Sequence, residues 1–491
     1  MVRVFRSAVC VVLPLALLAS GCGRGKEGPL PVALVGDEDS FQLAGARLSP
    51  AAQQLRAATV EGLVGFDSEG RVVPALADRW IVTDDGQSYI FRLRDGTWPD
   101  GARITADAAA VAVRKALAAL RGTALGLDLS PVEEVRVMAD RVIEIDLAAP
   151  VPDLLTLLAQ PEMGLPHDKR GSGPMALKRD AEGAILTLIP PERRGLPAQD
   201  GFARHTRSLK IEVGPAGRAV ARFNDGFVDA VLGGRIDSLP LAGVGGLTRG
   251  NVQLDPVIGM FGVMVDRAEG FLADAPNREA LALAIDRSAL LGAFNVGGWD
   301  PTTRIVSSDV EDDLGTVGER WAAMDMAARR AAASERVARW RAAAKAPPTL
   351  RIAMPEGAGS RLVLDRLTAD FAAIGVKLTR VPEGQKAELR LVDSVARYGR
   401  ATWFLNQLTC TVQKAVCNPA GDERLAEARL AKDPRERAAL LGEAEAEITA
   451  ANGFIPIARP LRWSLVRGGV TGFALNPWGW HPLPPLAVLP K

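Results

Sequence analysis

Histidine is scarce in this sequence: His167, His205 and His481 are the only three in 491 positions, and they stand far apart. With no Gly-x-Ser-x-Gly elbow and no His-Glu-x-x-His pair, neither a nucleophile with its base nor a histidine metal centre is expected, so the chain is not expected to be an enzyme. A phosphate-cradling Gly-x-x-x-x-Gly-Lys-Ser/Thr loop is missing too, so energy from ATP would have to come from a partner. Neither sign of charge predominates. Lysine plus arginine number 59 against 58 for aspartate plus glutamate, which excludes a field able to recruit nucleic acid or an anionic membrane surface. Past the N-terminal segment no apolar run reaches the roughly eighteen residues that a membrane span needs.

What is there begins with an N-terminus unlike the rest. Arg3 and Arg6 precede an uncharged stretch from Ser7 to Leu18, and Ala19-Ser-Gly-Cys22 follows with small residues leading to a cysteine. That is the layout of a secretory signal peptide over residues 1–21. It resembles a bacterial lipoprotein signal, in which the thiol of the first mature residue, here Cys22, is acylated. The leucine usual three positions before the cysteine is Ala19 here, with Leu18 one place further back. The expectation is a periplasmic protein tied to the membrane by an N-terminal lipid, with residues 22–30 as tether and no spanning helix. Cys10 leaves with the signal, so Cys410 and Cys417 remain. With six residues between them, in an oxidising compartment, they suit a local disulfide.

The mature chain is too long for one core and is expected to form two or three domains. Ser88–Arg94 and Val142–Leu147 alternate as half-buried strands do, and Thr105 or Asp107 can cap a helix through Leu120. Leu209–Val213, a helix from Ala216 to Phe223 and Phe227–Leu232 form one βαβ-like unit. Leu350–Ala353, a helix Arg361–Ile374 and Lys377–Val381 form a second. Continuous helices are expected over Asn277–Leu291, Gly315–Ala346 and Asp422–Thr449. Two α/β regions joined by crossing segments imply two lobes and a cleft.

Three stretches then follow in order: Val60-Glu-Gly-Leu-Val-Gly-Phe-Asp67, Val73-Pro-Ala-Leu-Ala-Asp-Arg-Trp80 and Asp84-Asp-Gly-Gln-Ser-Tyr-Ile-Phe-Arg-Leu-Arg-Asp-Gly96. Together with Trp98-Pro-Asp-Gly101, Gly171-Ser-Gly-Pro-Met175, Phe223–Asp229, the Ala284-Ile-Asp-Arg287 helix and Ile455-Pro-Ile457, they resemble the family 5 extracellular solute-binding proteins. These are the dipeptide, oligopeptide and nickel binders of bacterial ABC importers, and the likeness runs from about Leu34 to Leu483. Read bottom-up, the Asp-Gly pairs are hairpin punctuation and mark the fold, with no part in a site.

The resemblance implies an α/β, type II periplasmic binding-protein-like fold of two lobes with an additional mixed α+β lobe. Lobe I would hold residues 31–52, 195–258 and 466–491, the extra lobe 53–194, and lobe III 259–465. It implies a monomer that closes on a peptide-like solute and presents it to permease and ATPase subunits, without cofactor or metal. A sensor or scaffold of the same fold, and a binder of chelated metal, are the alternative readings.

Peptide binders of this family present, on a strand in the 400 region, a tryptophan followed by an aspartate that pairs with the peptide amino terminus. The corresponding stretch here, Ala401 to Cys410, offers Trp403 as aromatic wall, and Asn406 or Gln407 stands where the acid would be. A neutral amide cannot neutralise an ammonium, so ordinary dipeptides are not expected to be favoured. The other candidate ligand residues are Met260 and Phe261 on the crossing strand, Trp299 as a second wall, and Arg304 as a fork for a carboxylate. Trp478 and Trp480 are expected to be packing aromatics.

Overall fold

The computed structural model describes residues 28–490 except 99, 168–170, 244–249 and 311–316. Cys22 and the expected signal and lipid site lie outside the described residues. Leu30–Val35 is the first strand, and its burial explains its unbroken apolar run. Leu30, Val32 and Leu34 point into one core with Leu55, Leu209, Leu232 and Leu483, while Ala33 points into another with Val231, Phe261 and Val263. A strand covered on both faces has no use for alternation.

That strand is central in a seven-stranded sheet. It pairs in parallel with Leu209–Gly214 on one side and Ala230–Gly234 on the other. Arg462–Val466 and Val252–Asp255 extend one edge, and Ala184–Leu188 and Met175–Arg179 the other, all antiparallel. A second, five-stranded sheet runs Lys377–Pro382, Thr349–Met354, Leu389–Val395, Gly259–Val265, Phe454–Ala458. The chain passes between the two sheets through residues 256–258 and 459–461, the short segments that join Asp255 to Gly259 and Ala458 to Arg462.

The additional layer is an antiparallel four-stranded sheet of Ala77–Val82, Ser88–Leu93, Val142–Leu147 and Val132–Ala139. Tyr89, Phe91 and Leu93 are buried while Arg92 is exposed, the alternation read from sequence. Helix Ala106–Ala119 covers it, its N-terminus capped by Thr105, whose hydroxyl accepts from the Ala108 amide. By strand pairing this layer is shorter than the expected 53–194. Helix Pro50–Thr59 buries Ala51, Leu55 and Ala58 against the seven-stranded sheet, and the Met175–Leu188 hairpin is part of that sheet. Strand Arg462–Val466 also belongs there rather than to the expected lobe III.

Helices depart from expectation where capping chemistry intervenes. The run through Leu291 breaks after Ala284, and Asp286 starts a new helix by accepting from the Ala289 amide. The long C-terminal helix is two, Pro419–Leu430 and Pro434–Ala450. Pro434 has no amide to donate, and Asp433 caps the second segment through the Arg435 and Glu436 amides. Helix Met326–Ala344, shorter than the expected Gly315–Ala346, is mostly exposed but buries Ala333 and Val337 and packs on Ala275–Ala284.

Candidate functional site

The largest difference from expectation falls in the 400 region. Ala401–Asn406 is a short helix, and the strand precedes it at Leu389–Val395. Ala401, Trp403, Phe404, Leu405 and Asn406 are all buried, which a half-buried strand with alternating faces could not achieve. Trp403 is 2% exposed and packs edge-on against Phe404, deep in a core shared by the additional layer and the second sheet.

Asn406 borders a cavity of about 150 Å³ between the additional layer and the C-terminal helices. Its amide donates to Asp128 and accepts from Arg429 at 2.8 Å. Tyr398 donates its hydroxyl to the same Asp128 oxygen at 2.7 Å, while the other oxygen is buried without a partner among the described residues. Burial pushes the Asp128 carboxyl up to about 7, against the opposing pull of these donors and of Arg429.

Met260, Phe261 and Arg304 are brought together around a second cavity, of about 200 Å³, on the second sheet. Arg304 is engaged there by Glu445 at 3.5 Å. Trp299 stands behind this group, tilted against Phe261 and edge-on to Phe294, with its indole NH donated to the Arg459 carbonyl at 2.8 Å. The residues expected at one cleft thus occupy two places, neither of them between the two large sheets. Gln407 follows the short helix as its C-cap. Cys410 and Cys417 form a disulfide in the loop after it.

A third cavity, of about 290 Å³, does lie between the sheets. One wall is Gly233, near the end of strand Ala230–Gly234, and Arg235 just past it, with Arg462. The opposite wall is Asp393 to Arg397, where strand Leu389–Val395 ends. Gln53, Phe66 and Gln160 close a third side, and Trp478 and Trp480 a fourth. Two strands thus present their carboxyl ends to the space, where open α/β sheets leave a crevice for ligands.

The tryptophans, expected to be packing residues, are held at this cavity by a buried knot. Asn476 receives the amides of Trp478 and Trp480 on its side-chain oxygen and donates its amide nitrogen to the Trp480 carbonyl at 2.6 Å. Asp255 accepts the Asn476 backbone amide at 3.1 Å and lies 3.0 Å from His481 Nε2. Two glycines are required here. Gly70 has φ +79°, and a Cβ on it would meet Trp478 Cδ1 at 2.6 Å; Gly479 has φ +55°, and a Cβ would strike Arg462. The hairpin glycine of Asp67–Gly70 therefore has a role at the site, because Trp478 also donates its indole NH to the Gly70 carbonyl at 3.0 Å.

Charge ties the two walls together. Asp393 accepts from Arg462 Nη1 at 2.6 Å and from the Ile236 amide at 3.2 Å, and lies 3.6 Å from Arg235 Nε. Burial alone would raise this carboxyl, but Arg462 and Arg235 together outweigh it and hold it below the usual range. On the Asp393 backbone, the carbonyl receives both guanidiniums as well. Arg397 is pinned from the third side by Gln160 at 2.8 Å and Glu162 at 2.9 Å. Arg235, Asp393, Arg397 and Arg462 belong to none of the motifs quoted from the sequence.

Comparison with known proteins gives this arrangement its context. Escherichia coli YgiS, a probable deoxycholate-binding periplasmic protein, is 35% identical over 130 residues, which cover 22% of this chain and 24% of that protein. The probable di/tripeptide-binding protein 5 of Pseudomonas aeruginosa is 25% identical across 87% of this chain and 89% of its own length. Among solved structures, Haemophilus influenzae OppA in complex with the peptide RPPGFSPFR superposes with a TM-score of 0.82 at 18% identity, covering 94% of this chain and 99% of that one. The two-lobed type II periplasmic binding fold is therefore the fold of this chain. The sequence model of the bacterial extracellular solute-binding proteins, family 5, matches residues 71–398, and the chain belongs to that family.

Proposed function

We propose that this protein is the solute receptor of a bacterial ABC importer, tethered through a lipid on Cys22, and that the cavity between its two large sheets is where solute is held. One observation carries the reading. The cavity is walled by both sheets and closed at its sides by Gln53, Phe66, Gln160, Trp478 and Trp480, while among the described residues the chain passes between the sheets through 256–258 and 459–461. Short crossing segments of this kind can absorb a hinge rotation, so the walls can part and close. A solute touching both walls binds the closed form more tightly than the open one, and that difference is the signal a permease can read. The P. aeruginosa relative is named for di- and tripeptides, and the volume sits at the lower end of small-molecule sites, roughly 300 Å³ and upward. A solute of dipeptide to tripeptide size fits that space better than a long peptide.

The test is native mass spectrometry of protein purified from its own envelope, followed by thermal shift with a peptide library. A bound solute should raise the melting temperature, and Ala396→Trp, which fills the cavity, should abolish the rise. A rise that survives in Ala396→Trp places the solute elsewhere. Mass spectrometry of the mature protein, with and without Cys22→Ser, tests the lipid.

A further inference from the structure

The cavity between the sheets is lined by three guanidiniums, those of Arg235, Arg397 and Arg462, against one carboxylate, Asp393. The carboxylate is committed: Arg462 and Arg235 grip it from the first wall, and only 9% of its side chain is exposed. The other nearby acid, Glu162, sits behind Arg397 with 3% of its side chain exposed, and it also accepts from Gln53. Arg397 and Arg235 keep 28% and 31% of their side chains accessible, so the cavity is faced by cations while its acids are turned away. Asp237 and Glu383 lie near Arg235 without lining the space.

A positively charged amine entering here would meet guanidiniums and would find, among the described residues, no acid lining the space able to receive it without breaking an existing pair. An anionic oxygen would meet donors already fixed in place, and placing it there forms charge-assisted bonds without unmaking any. Phe66, Trp478 and Trp480 supply flat apolar surface for the rest of the molecule. Resting on the solute-receptor reading above, we propose that the ligand class is a small organic anion, a carboxylate-bearing solute of about dipeptide size whose amine is absent or acylated, with Arg397 as the residue that selects it.

The test uses the mature protein and four probes: Ala-Phe, N-acetyl-Ala-Phe, Ala-Phe-amide and N-acetyl-Ala-Phe-amide, titrated calorimetrically at low and physiological salt. N-acetyl-Ala-Phe should bind at least tenfold more tightly than Ala-Phe-amide, and its affinity should fall with salt. Arg397→Gln should lose about tenfold for the N-acetyl acid and nothing for the doubly blocked probe. Because Arg397→Gln strips Glu162 of a partner, Glu162→Gln serves as the second variant: it removes a negative charge behind the site and should tighten the acid by about threefold. Binding that is indifferent to the carboxylate, or that favours the free amine, overturns the anion assignment and leaves solute capture standing. Absence of binding by every probe, together with no copurified solute, overturns both.

Discussion

Two buried aspartates stand at the two boundaries of the second sheet, and burial acts on them with opposite net results. Asp393, at the boundary with the seven-stranded sheet, is held below the usual carboxylate range; Asp128, at the boundary with the additional layer, is pushed up to about 7. Desolvation is the largest single influence on both. What differs is the partner. Asp393 touches the guanidiniums of Arg462 and Arg235 directly, whereas Asp128 receives the neutral donors Tyr398 and Asn406, and Asn406 stands between it and Arg429. Interposing one amide is enough to change a charge clamp into a group that titrates near neutrality. The first boundary is thereby fastened by ions where the solute is proposed to sit, and the second by a neutral hydrogen-bond cluster beside apolar core.

The comparison breaks most visibly at Asp393. Asp393→Asn takes from Arg462 and Arg235 the carboxylate they share, leaving them only the more distant Asp237 and Glu383, and should destabilise the protein by about 3–5 kcal/mol, read from the urea midpoint at neutral pH. If Asp393 resembled Asp128, removing its charge would stabilise instead. At Asp128 the sign is the reverse of the usual carboxylate. Its folded pKa lies above the unfolded value, so the cost of ionising it grows as pH rises from about 4 to about 7 and is constant above that. Asp128→Asn keeps an acceptor for Tyr398 and should raise stability by at most roughly 4 kcal/mol above pH 7, shrinking towards zero near pH 4. A gain independent of pH would show that Asp128 is not the titrating group.

Much of this fold was legible because its signals are local. Ser88–Leu93 alternates, Thr105 caps, and Leu209–Gly214 with Ala216–Asn224 reads as strand then helix from residues near one another. The breaks at Asp286 and Pro434 were legible too, in cap and proline chemistry that a search for long apolar periods passes over. The site was not. Arg235, Arg397 and Arg462 lie in three separate stretches and resemble surface arginines until the two large sheets bring them to one cavity. Trp403 misled for a physical reason: an indole next to phenylalanine and leucine is as well suited to a core helix as to a ligand wall, and only the packing around Ala401–Asn406 distinguishes them. Trp478 packs against the core as expected of it and, with Trp480, also lines the cavity, a placement that depends on Asn476, Asp255 and His481 and that no local pattern announces.

The smallest expected effect is the sharpest probe of the neutral boundary. Tyr398→Phe deletes one donor to Asp128 while keeping the ring, which is buried in the same core. A hydrogen bond to an ionised acceptor contributes roughly 1.5–3 kcal/mol, and to a neutral one about 0.5–1.5 kcal/mol. Asp128 is ionised above about 7 and neutral below it, so the loss from Tyr398→Phe should be near the larger figure at pH 8 and near the smaller at pH 5. The Tyr398 hydroxyl is itself raised well above its ordinary value, by burial first and by Asp128 next, so it remains a donor over this whole range and the pH dependence belongs to the carboxyl. Parallel urea titrations of Tyr398→Phe in the Asp128→Asn background should show the difference between the two pH values disappear, because no charge is left for the hydroxyl to meet.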